Sequence, residues 1–270
     1  WFCASEILAD LDLDGAPKPG HAGSFETSCM LALHPELVRM EHFPGREAEL
    51  QPLRVMELYK RAVSAGVDAA QAEDAIAQAD LQVDEAQSQA QSDVLTNQRD
   101  LLERDPNAPV LGNPDGDVTV VEFFDYNCPY CRRAMAEVEG LVEDDENVRL
   151  VYREWPILGE GSVFAARAAL ASREQGKYEE FHLALMGMQG RAEEASVMRI
   201  AEEIGLDVEK LRADMAAPEV DEHIATSRRL TQALGFNGTP SFVIGDNLVP
   251  GFVEQEQLGA LVEQVRGAAQ

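Results

Sequence analysis

The clearest pattern of apolar positions begins at residue 118, where VTVVEFF has the length and the β-branched and aromatic composition of a buried strand. Over residues 128–143 the period changes, and apolar side chains such as Ala134 and Val138 are spaced for one face of a helix. Residues 148–152 return to strand composition. This order predicts a strand–helix–strand unit.

The next segment, about residues 160–236, has helical patterns and almost no strand signal. The helices are predicted at 162–175, 178–188, 195–204, 208–215 and 220–234. Two short apolar runs separated by Gly245-Asp246 then predict a hairpin over 241–244 and 247–249, and a closing helix follows over 255–266. The whole order predicts an α/β fold with an inserted helical block.

The chain before this domain divides into two further segments. Residues 1–50 are rich in Gly, Pro and His, and we expect a separate fragment. Residues 51–105 form a helical extension, because residues 67–105 contain no Gly or Pro before the stop at Pro106. Its thin apolar stripe consists mostly of Ala, which fits either a helix that pairs with a partner helix or a solvated spacer.

Charge narrows the choice of partners. The 270 residues include 49 acidic and 22 basic ones, for a net charge of −27, so phosphate backbones are repelled and nucleic acid is excluded as a partner. No run approaches the ~20 consecutive apolar residues of a transmembrane helix. The chain begins with Trp1, and we expect the native N-terminus, with any signal peptide, to lie outside it.

The candidate chemistry lies in Cys128-Pro129-Tyr130-Cys131. A cysteine that follows a strand and begins a helix is close to unpaired backbone N–H groups, which stabilise a thiolate. Cys128 is therefore the expected nucleophile, Pro129 fits the first helical turn, and Cys131 is the expected resolving thiol.

Two other interpretations of this cysteine pair stay open. The two sulfurs can form a structural disulfide, or they can be half of a zinc site, which needs two further Cys or His ligands. Cys3 and Cys29 belong to a different segment, and no second Cys-x-x-Cys exists, so redox chemistry is favoured over zinc. We expect no cofactor and no metal ion.

These residues resemble the thioredoxin superfamily, and within it the DsbA-like oxidoreductases of the suppressor-of-copper-sensitivity type. The resemblance covers about residues 106–270 and rests on the segment from Asn113 to Cys131 and on Gly238-Thr239-Pro240-Ser241-Phe242. It implies a thioredoxin fold whose helical block, at about 160–236, is the DsbA-like insertion. A glutathione-dependent reductase is a second possibility, because the Pro-Tyr dipeptide is also found in glutaredoxins.

The same resemblance implies roles for residues outside the cysteine motif. Pro240 corresponds to a cis-proline that faces the disulfide, although an ordinary trans edge proline is the alternative. Thr239 then offers its backbone to an extended substrate, with Pro129 and Tyr130 beside it. Glu122 corresponds to a buried acid that exchanges protons with the resolving cysteine, and an ion pair with Arg153 is the alternative.

The segment from His21 to Val38 resembles a short stretch of the creatininase family of amidohydrolases. In that family a His and a Glu of this kind lie at the active site, and the resemblance maps them to His21 and Glu26. The other metal ligands of that site come from upstream segments that are absent. One loop and one helix do not build such a site. We expect a poorly packed remnant without amidohydrolase activity.

The functional expectation is a protein disulfide oxidoreductase, either oxidase or isomerase, of the periplasm or cell envelope, where disulfides persist. Its substrates are unfolded or cysteine-containing proteins, and the resemblance implies a membrane redox partner that recycles it. Pairing through residues 67–105 gives a homo-oligomer and favours isomerisation. The alternative from another class is a non-catalytic module in which Cys128 and Cys131 bind Cu(I).

Overall fold

The computed structural model describes residues 68–268 of the chain. The helices are α1 (Ala69–Asn97), α2 (Arg99–Glu103), α3 (Pro129–Asp144), α4 (Glu160–Ala171), α5 (Tyr178–Gly187), α6 (Glu194–Glu203), α7 (Val208–Asp214), α8 (Pro218–Leu234) and α9 (Gln255–Ala268). The strands are β1 (Val110–Gly112), β2 (Val118–Phe124), β3 (Val148–Glu154), β4 (Ser241–Ile244) and β5 (Asn247–Pro250). A 3₁₀ turn, Ser172–Gln175, follows α4.

The strands form one sheet in the order β1-β3-β2-β4-β5. β2 and β3 run parallel and the other neighbours run antiparallel. Every residue of β2 and β3 is buried, including the charged residues Glu122, Arg149, Arg153 and Glu154. The sequence pattern did not predict β1, because Val110–Gly112 is too short to show an alternation of apolar and polar residues.

The two faces of the sheet are covered by different elements. Val120 and Phe124 of β2 belong to a large apolar cluster with α3, α9 and the inserted helices α4 to α7. Val121 and Phe123, which alternate with them, pack with Leu230 of α8 in a second cluster. The inserted helices lie between β3 and β4 in the chain, as predicted.

The predicted helix over residues 67–105 is present as α1 and α2, which are separated at Gln98. The chain divides into two compact units between Ala90 and Gln91. Within the first unit, residues 69–90 belong to α1, and Leu81 of this part is 63% exposed. In the second unit, Val94 and Leu102 pack into the second apolar cluster, so the end of the helical segment is part of the core beneath the sheet.

A buried arginine holds α2 against the sheet. Nη1 of Arg153 on β3 lies 2.7 Å from Oδ2 of Asp105, and Nη2 donates hydrogen bonds to the carbonyl groups of Leu101 and Leu102. The Arg153 side chain is completely buried, so these partners replace the water that its guanidinium has lost. The charge of Arg153 therefore stabilises the position of α2 only while Asp105 and the carbonyl groups of Leu101 and Leu102 accept its hydrogen bonds.

Candidate active site

Cys128 and Cys131 lie where the chain passes from β2 into α3. Cys128 is the N-cap residue, with extended backbone angles (φ −79°, ψ 118°), and Pro129 is the first helical residue. Cys131 lies in the first turn. Both are free thiols in the larger apolar cluster, and they are 5% and 0% exposed.

The surroundings of Cys128 favour its thiolate. Hydrogen bonding from the Cys131 thiol and from the side chain of Thr239, together with the backbone N–H groups of Cys131 and Tyr130, lowers the pKa of Cys128 to about 6, against partial burial. At neutral pH the sulfur is therefore largely ionised. In the thiol form, Sγ of Cys128 donates to the carbonyl oxygen of Thr239 at 3.1 Å.

The second thiol has the opposite character. Burial raises the pKa of Cys131 far above its ordinary value, and its hydrogen bond to Cys128 and the charges of Glu122 and Cys128 raise it further. Cys131 therefore stays protonated until a base takes its proton. The pair consists of one reactive sulfur at the surface of the cluster and one protected sulfur behind it.

Glu122 is a carboxyl group in the middle of the central strand and is only 2% exposed. It pairs with Tyr152 on β3 and with Phe242 on β4, both of which belong to the larger apolar cluster. Burial, and then the charge of Cys128, raise the pKa of Glu122 to about 8. A carboxyl group with such a pKa exchanges protons near neutral pH.

The alternative ion pair between Glu122 and Arg153 is wrong. Arg153 pairs with Phe123 in the register of β2 and β3, so it shares a face of the sheet with Phe123. Glu122 is the next residue along the strand and its side chain lies on the other face. Arg153 forms its ion pair with Asp105 instead.

The Thr239-Pro240 peptide bond is cis, as the resemblance implied. Pro240 is buried directly before β4, whereas Thr239 is half-buried beside Cys128. The carbonyl oxygen of Pro240 accepts a hydrogen bond from the N–H of Gly251 at 2.9 Å, which connects this segment to the end of β5. Pro129 and Tyr130, on the other side of Cys128, are both exposed, and Tyr130 is 57% exposed.

The residues just before Cys128 are tied to the segment after β3 and to the insertion. Oδ2 of the buried Asp125 accepts the N–H groups of Ile157 and Leu158 at 2.8 and 2.9 Å. The hydroxyl of Tyr126 lies 3.0 Å from Nδ1 of His182 on α5. Burial lowers the pKa of His182 to about 4, so this imidazole is neutral at neutral pH.

Asn127 makes a third connection. Its Oδ1 accepts the N–H of Ala192 at 2.7 Å, and its Nδ2 donates to the carbonyl of Ala192 at 3.0 Å and to Oγ of Ser162 at 3.1 Å. Asn127 therefore joins the residue next to Cys128 to two parts of the insertion.

Arg132, directly after Cys131, adds a connection from the helix side. Its Nε donates to the carbonyl of Tyr126 at 3.0 Å, and its Nη1 donates to the carbonyls of Met188 and Gly190 at 3.1 and 2.8 Å. Sequence reasoning missed Arg132, Asn127 and Asp125 as supports of the site. Asp125 and Asn127 are polar residues between a buried strand and the cysteine motif, and that position was the signal in the sequence that they support the site.

A buried polar group lies deeper in the insertion. The hydroxyl of Tyr178 donates to Oε1 of Glu154 at 2.6 Å, and Oε2 of Glu154 lies 2.7 Å from Nε2 of His223 on α8. The end of β3 is thereby joined to helices on both sides of the sheet. Burial raises the pKa of Tyr178 well above its ordinary value, so its hydroxyl remains a donor.

The described residues 68–268 contain no group of three or more His, Cys, Asp and Glu side chains placed to hold a metal ion. Over the same residues, none of the helices combines the length and the apolar character needed to cross a membrane. Cys3 and Cys29 lie outside the described residues.

The structure brings a cysteine pair at the start of a helix together with a cis-proline, in a sheet domain with an inserted helical block. The model of the DSBA-like thioredoxin domain matches residues 119–263. The chain belongs to the DSBA-like thioredoxin family. The matched range includes Cys128, Cys131, Glu122 and Pro240, and it contains the whole insertion.

Solved structures of similar proteins agree with this family. A thioredoxin-like oxidoreductase from Silicibacter pomeroyi DSS-3 is 74% identical, with a TM-score of 0.62 over 63% of this chain and 98% of that one. The thiol-disulfide exchange protein α-DsbA2 from Wolbachia pipientis is 30% identical, with a TM-score of 0.61 over 66% and 97%. The catalytic domain of Proteus mirabilis ScsC is 29% identical, with a TM-score of 0.59 over 63% and 96%.

The curated relatives include longer proteins. The Na(+)/H(+) antiporter NhaA 3 of Salinispora tropica is 34% identical over 155 residues, which are 57% of this chain and 24% of that protein. The chain thus spans about a quarter of the length of the first curated relatives it matches. Disulfide bond formation protein D of Bacillus subtilis is 26% identical over 171 residues, 58% of this chain and 76% of that protein.

The N-terminal part matches a different family. The model of creatinine amidohydrolase matches residues 3–89. This stretch is longer than the segment from His21 to Val38, which carries the resemblance described above. His21 and Glu26 lie outside the described residues, as does the expected remnant over residues 1–50.

Proposed function

We propose that this DSBA-like protein is a thiol–disulfide oxidoreductase that acts on protein cysteines through Cys128 and Cys131. The observation that carries the proposal is the contrast between the two sulfurs: the pKa of Cys128 falls to about 6, while burial keeps Cys131 protonated. A pair of this kind has one sulfur that exchanges with substrate and one that resolves the product.

The oxidising reaction proceeds in two exchanges. A substrate thiolate attacks Sγ of Cys128 in the oxidised protein, which forms a substrate–Cys128 disulfide and releases Cys131 as a thiolate that takes up a proton. A second substrate thiolate then attacks the substrate sulfur of this mixed disulfide and releases the Cys128 thiolate. The substrate loses two electrons and the protein gains them as two reduced sulfurs.

We propose the oxidising direction because the protein stabilises the product of that reaction. A thiolate held by hydrogen bonds and by a helix N-terminus makes Cys128 a good leaving group and makes the reduced form more stable. The isomerase reaction uses the same sulfur: reduced Cys128 attacks a wrong disulfide, and the substrate rearranges before release.

Glu122 is proposed as the group that exchanges a proton with Cys131. While Cys128 is a thiolate, its charge contributes to the raised pKa of Glu122. In a mixed disulfide that charge is absent, so the Glu122 carboxylate forms more easily. It can then accept the proton of Cys131 as this sulfur attacks the mixed disulfide.

The proposed substrates are unfolded or cysteine-containing polypeptides in the periplasm or cell envelope. The half-buried Thr239 is positioned to pair with an extended segment by strand addition, while the exposed Pro129 and Tyr130 contact its side chains. A membrane redox partner would recycle the pair, and pairing of chains through residues 67–105 would favour isomerisation.

The test mixes the full chain, with Cys128 and Cys131 joined in a disulfide, with a reduced, unfolded protein that needs several disulfides, and measures the rate at which disulfides form in that protein. We expect rapid oxidation that is lost in Cys128→Ser. When the reduced Cys131→Ser variant is instead mixed with a substrate that contains a disulfide, we expect Cys128 to attack that disulfide and a mixed disulfide to accumulate on a non-reducing gel. Arg228→Gln, an exposed change on α8, is the matched control.

Two other outcomes would change the function that we propose. Rescue of a scrambled-disulfide substrate by the reduced protein, without net oxidation, assigns an isomerase. No exchange in either assay, together with binding of Cu(I) that requires Cys128 and Cys131, replaces the enzyme with the copper-binding module.

A further inference from the structure

Two consecutive arginines follow the resolving cysteine in a chain whose net charge is −27. Arg132 is half-buried and Arg133 is exposed. Among the described residues neither forms an ion pair with a carboxylate, although most other described arginines and lysines do. Glu137, one turn beyond Arg133, instead accepts the backbone N–H of Gln255 at 3.0 Å.

Arg133 lies on the side of the site that holds the cis-proline. Its guanidinium carbon is 4.4 Å from the centre of the Phe252 ring, a cation–π contact. Phe252 follows Gly251, whose N–H donates to the carbonyl of Pro240. This contact holds the guanidinium beside the ring and leaves the N–H groups of Arg133 available to a second partner.

A further arginine lies on the opposite side of Cys128. Nη2 of Arg191 donates to the carbonyl of Leu158 at 3.1 Å, next to the backbone groups that Asp125 holds. Burial, and then the charge of Arg191, lower the pKa of Arg132. Arg191 has one distant acidic neighbour, Glu193 at 3.9 Å, and both of these side chains are more than 60% exposed.

One hydrogen-bond donor of Arg132 is also unsatisfied. Its Nη2 is buried and has no hydrogen-bond partner among the described residues. Positive groups therefore lie on both sides of Cys128, together with the exposed apolar residues Tyr130, Ile157 and Leu158.

We propose that Arg132, Arg133 and Arg191 form a basic rim that selects polypeptides carrying acidic side chains next to their reactive cysteine. This inference rests on the proposed function and names its substrate class. An extended segment that pairs with Thr239 and brings its cysteine to Cys128 extends towards Phe252 and Arg133 on one side and towards Leu158 and Arg191 on the other. Carboxylates at the flanking positions form ion pairs there.

The whole-chain charge predicts the opposite preference. With a net charge of −27, long-range attraction favours basic peptides and repels acidic ones. A preference for acidic flanks is therefore a sign of local recognition and not of the general field. The long-range contribution is screened beyond ~10 Å at 0.1 M salt, whereas contact pairs are screened less.

The experiment measures oxidation of three two-cysteine peptides by the full chain in its oxidised form. The peptides are identical except that Glu, Gln or Lys flanks each cysteine. Each rate is divided by the rate of the same peptide with a small-molecule disulfide, which removes the effect of flanking charge on the peptide thiols themselves. The series is run at low salt and at about 0.15 M salt, where the Debye length is about 8 Å.

We expect the normalised rate with Glu flanks to exceed that with Lys flanks by about two- to fivefold, the size of one exposed ion pair. Arg133→Gln and Arg191→Gln should each reduce this ratio, and Arg133→Lys should restore part of it. Arg228→Gln, which changes the net charge equally at an exposed position on α8, is the matched control and should leave the ratio unchanged.

A preference for Lys flanks in the unaltered chain overturns the inference, as does an equal change of the ratio in Arg133→Gln and Arg228→Gln. In either case oxidation of the Gln-flanked peptide still supports the proposed function. Absence of exchange with all three peptides overturns the proposed function and, with it, the basic rim.

Discussion

The Sγ atom of Cys128 lies 3.1 Å from the carbonyl oxygen of Thr239, the residue before the cis-proline. The reactive sulfur is thus next to the backbone that an extended substrate would use for hydrogen bonds. A substrate segment paired with Thr239 would bring its own cysteine to the position where exchange occurs. Binding and chemistry share one short stretch of surface.

The ionisation of Cys128 gives the first prediction. Thiolate absorbance near 240 nm in the reduced chain should rise with a midpoint at a pH of about 6, because hydrogen bonding from Cys131 lowers the pKa of Cys128 to that value. Cys128→Ser should remove the step, and Cys131 should add none below pH 9. A single step near 9, the ordinary thiol value, would contradict the assigned environment.

The role of Glu122 gives the second prediction. In Glu122→Gln, a mixed disulfide formed when reduced Cys128 attacks a substrate disulfide should persist longer, because no carboxylate accepts the proton of Cys131 as this sulfur attacks it, and we expect this resolution to slow by about tenfold or more. The first exchange at Cys128 should change less. Mass spectrometry of acid-quenched samples separates the two steps, and Glu203→Gln, an exposed change on α6, is the control. Equal resolution rates would remove Glu122 from the mechanism.

The same carboxyl group gives a prediction on stability. Its folded pKa of about 8 is above the ordinary value of 4.5, so the folded state holds the proton more tightly. The tighter binding of this proton contributes to the free energy of unfolding. That contribution is complete below pH 4.5 and is lost as the pH rises to about 8. Relative to Glu122→Gln, the reduced unaltered chain should therefore lose unfolding free energy over this window. Urea denaturation at several pH values measures the difference, and a constant difference would contradict burial of a titrating group.

The buried pair of Arg153 and Asp105 gives a further prediction. Asp105→Asn leaves the guanidinium buried with fewer charged partners, and we expect a loss of about 3 kcal/mol of unfolding free energy. Asp246→Asn breaks a pair between Arg99 and an 84% exposed carboxylate, and should lose less than about 1 kcal/mol. Chemical denaturation compares them. Similar losses would mean that Arg153 relies on the carbonyls of α2 alone.

The connection made by Asn127 gives the last prediction. Asn127→Ala removes two bonds to the backbone of Ala192 and one to Ser162, and we expect a loss of about 2 kcal/mol of unfolding free energy. Because Asn127 adjoins Cys128, the midpoint of thiolate formation should also shift. Asn247→Ala, at the far end of the sheet, is the control for stability and should not move that midpoint. An unchanged midpoint in Asn127→Ala would limit Asn127 to a structural role.

Much of the fold follows from local pattern. The central strands are rich in β-branched and aromatic residues, and the helix after Cys128 has its buried residues at helical spacing, so both are visible in the sequence. The edge strand Val110–Gly112 is not, because three residues carry no period. It exists because β3 offers an unpaired edge to it.

The site was predictable where chemistry is encoded in adjacent residues. Cys128, Pro129 and Cys131 show their arrangement directly. Whether Arg153 pairs with Glu122 was not predictable, because two residues on neighbouring strands share a face only in one register, and a shift of a single position reverses the answer. The contacts of Asn127 were also hidden, since Ala192 and Ser162 contribute backbone or small polar groups from distant parts of the chain.

The three residues Asp125, Tyr126 and Asn127 are each fastened to a different segment, and that has a consequence for engineering the protein. Trimming the inserted helices to leave a minimal thioredoxin core would remove the anchors of Tyr126 and Asn127, so the segment that leads to Cys128 would keep only the contacts of Asp125. Grafting this cysteine motif onto another scaffold would transfer the two cysteines without the hydrogen bonds that position the residues before Cys128.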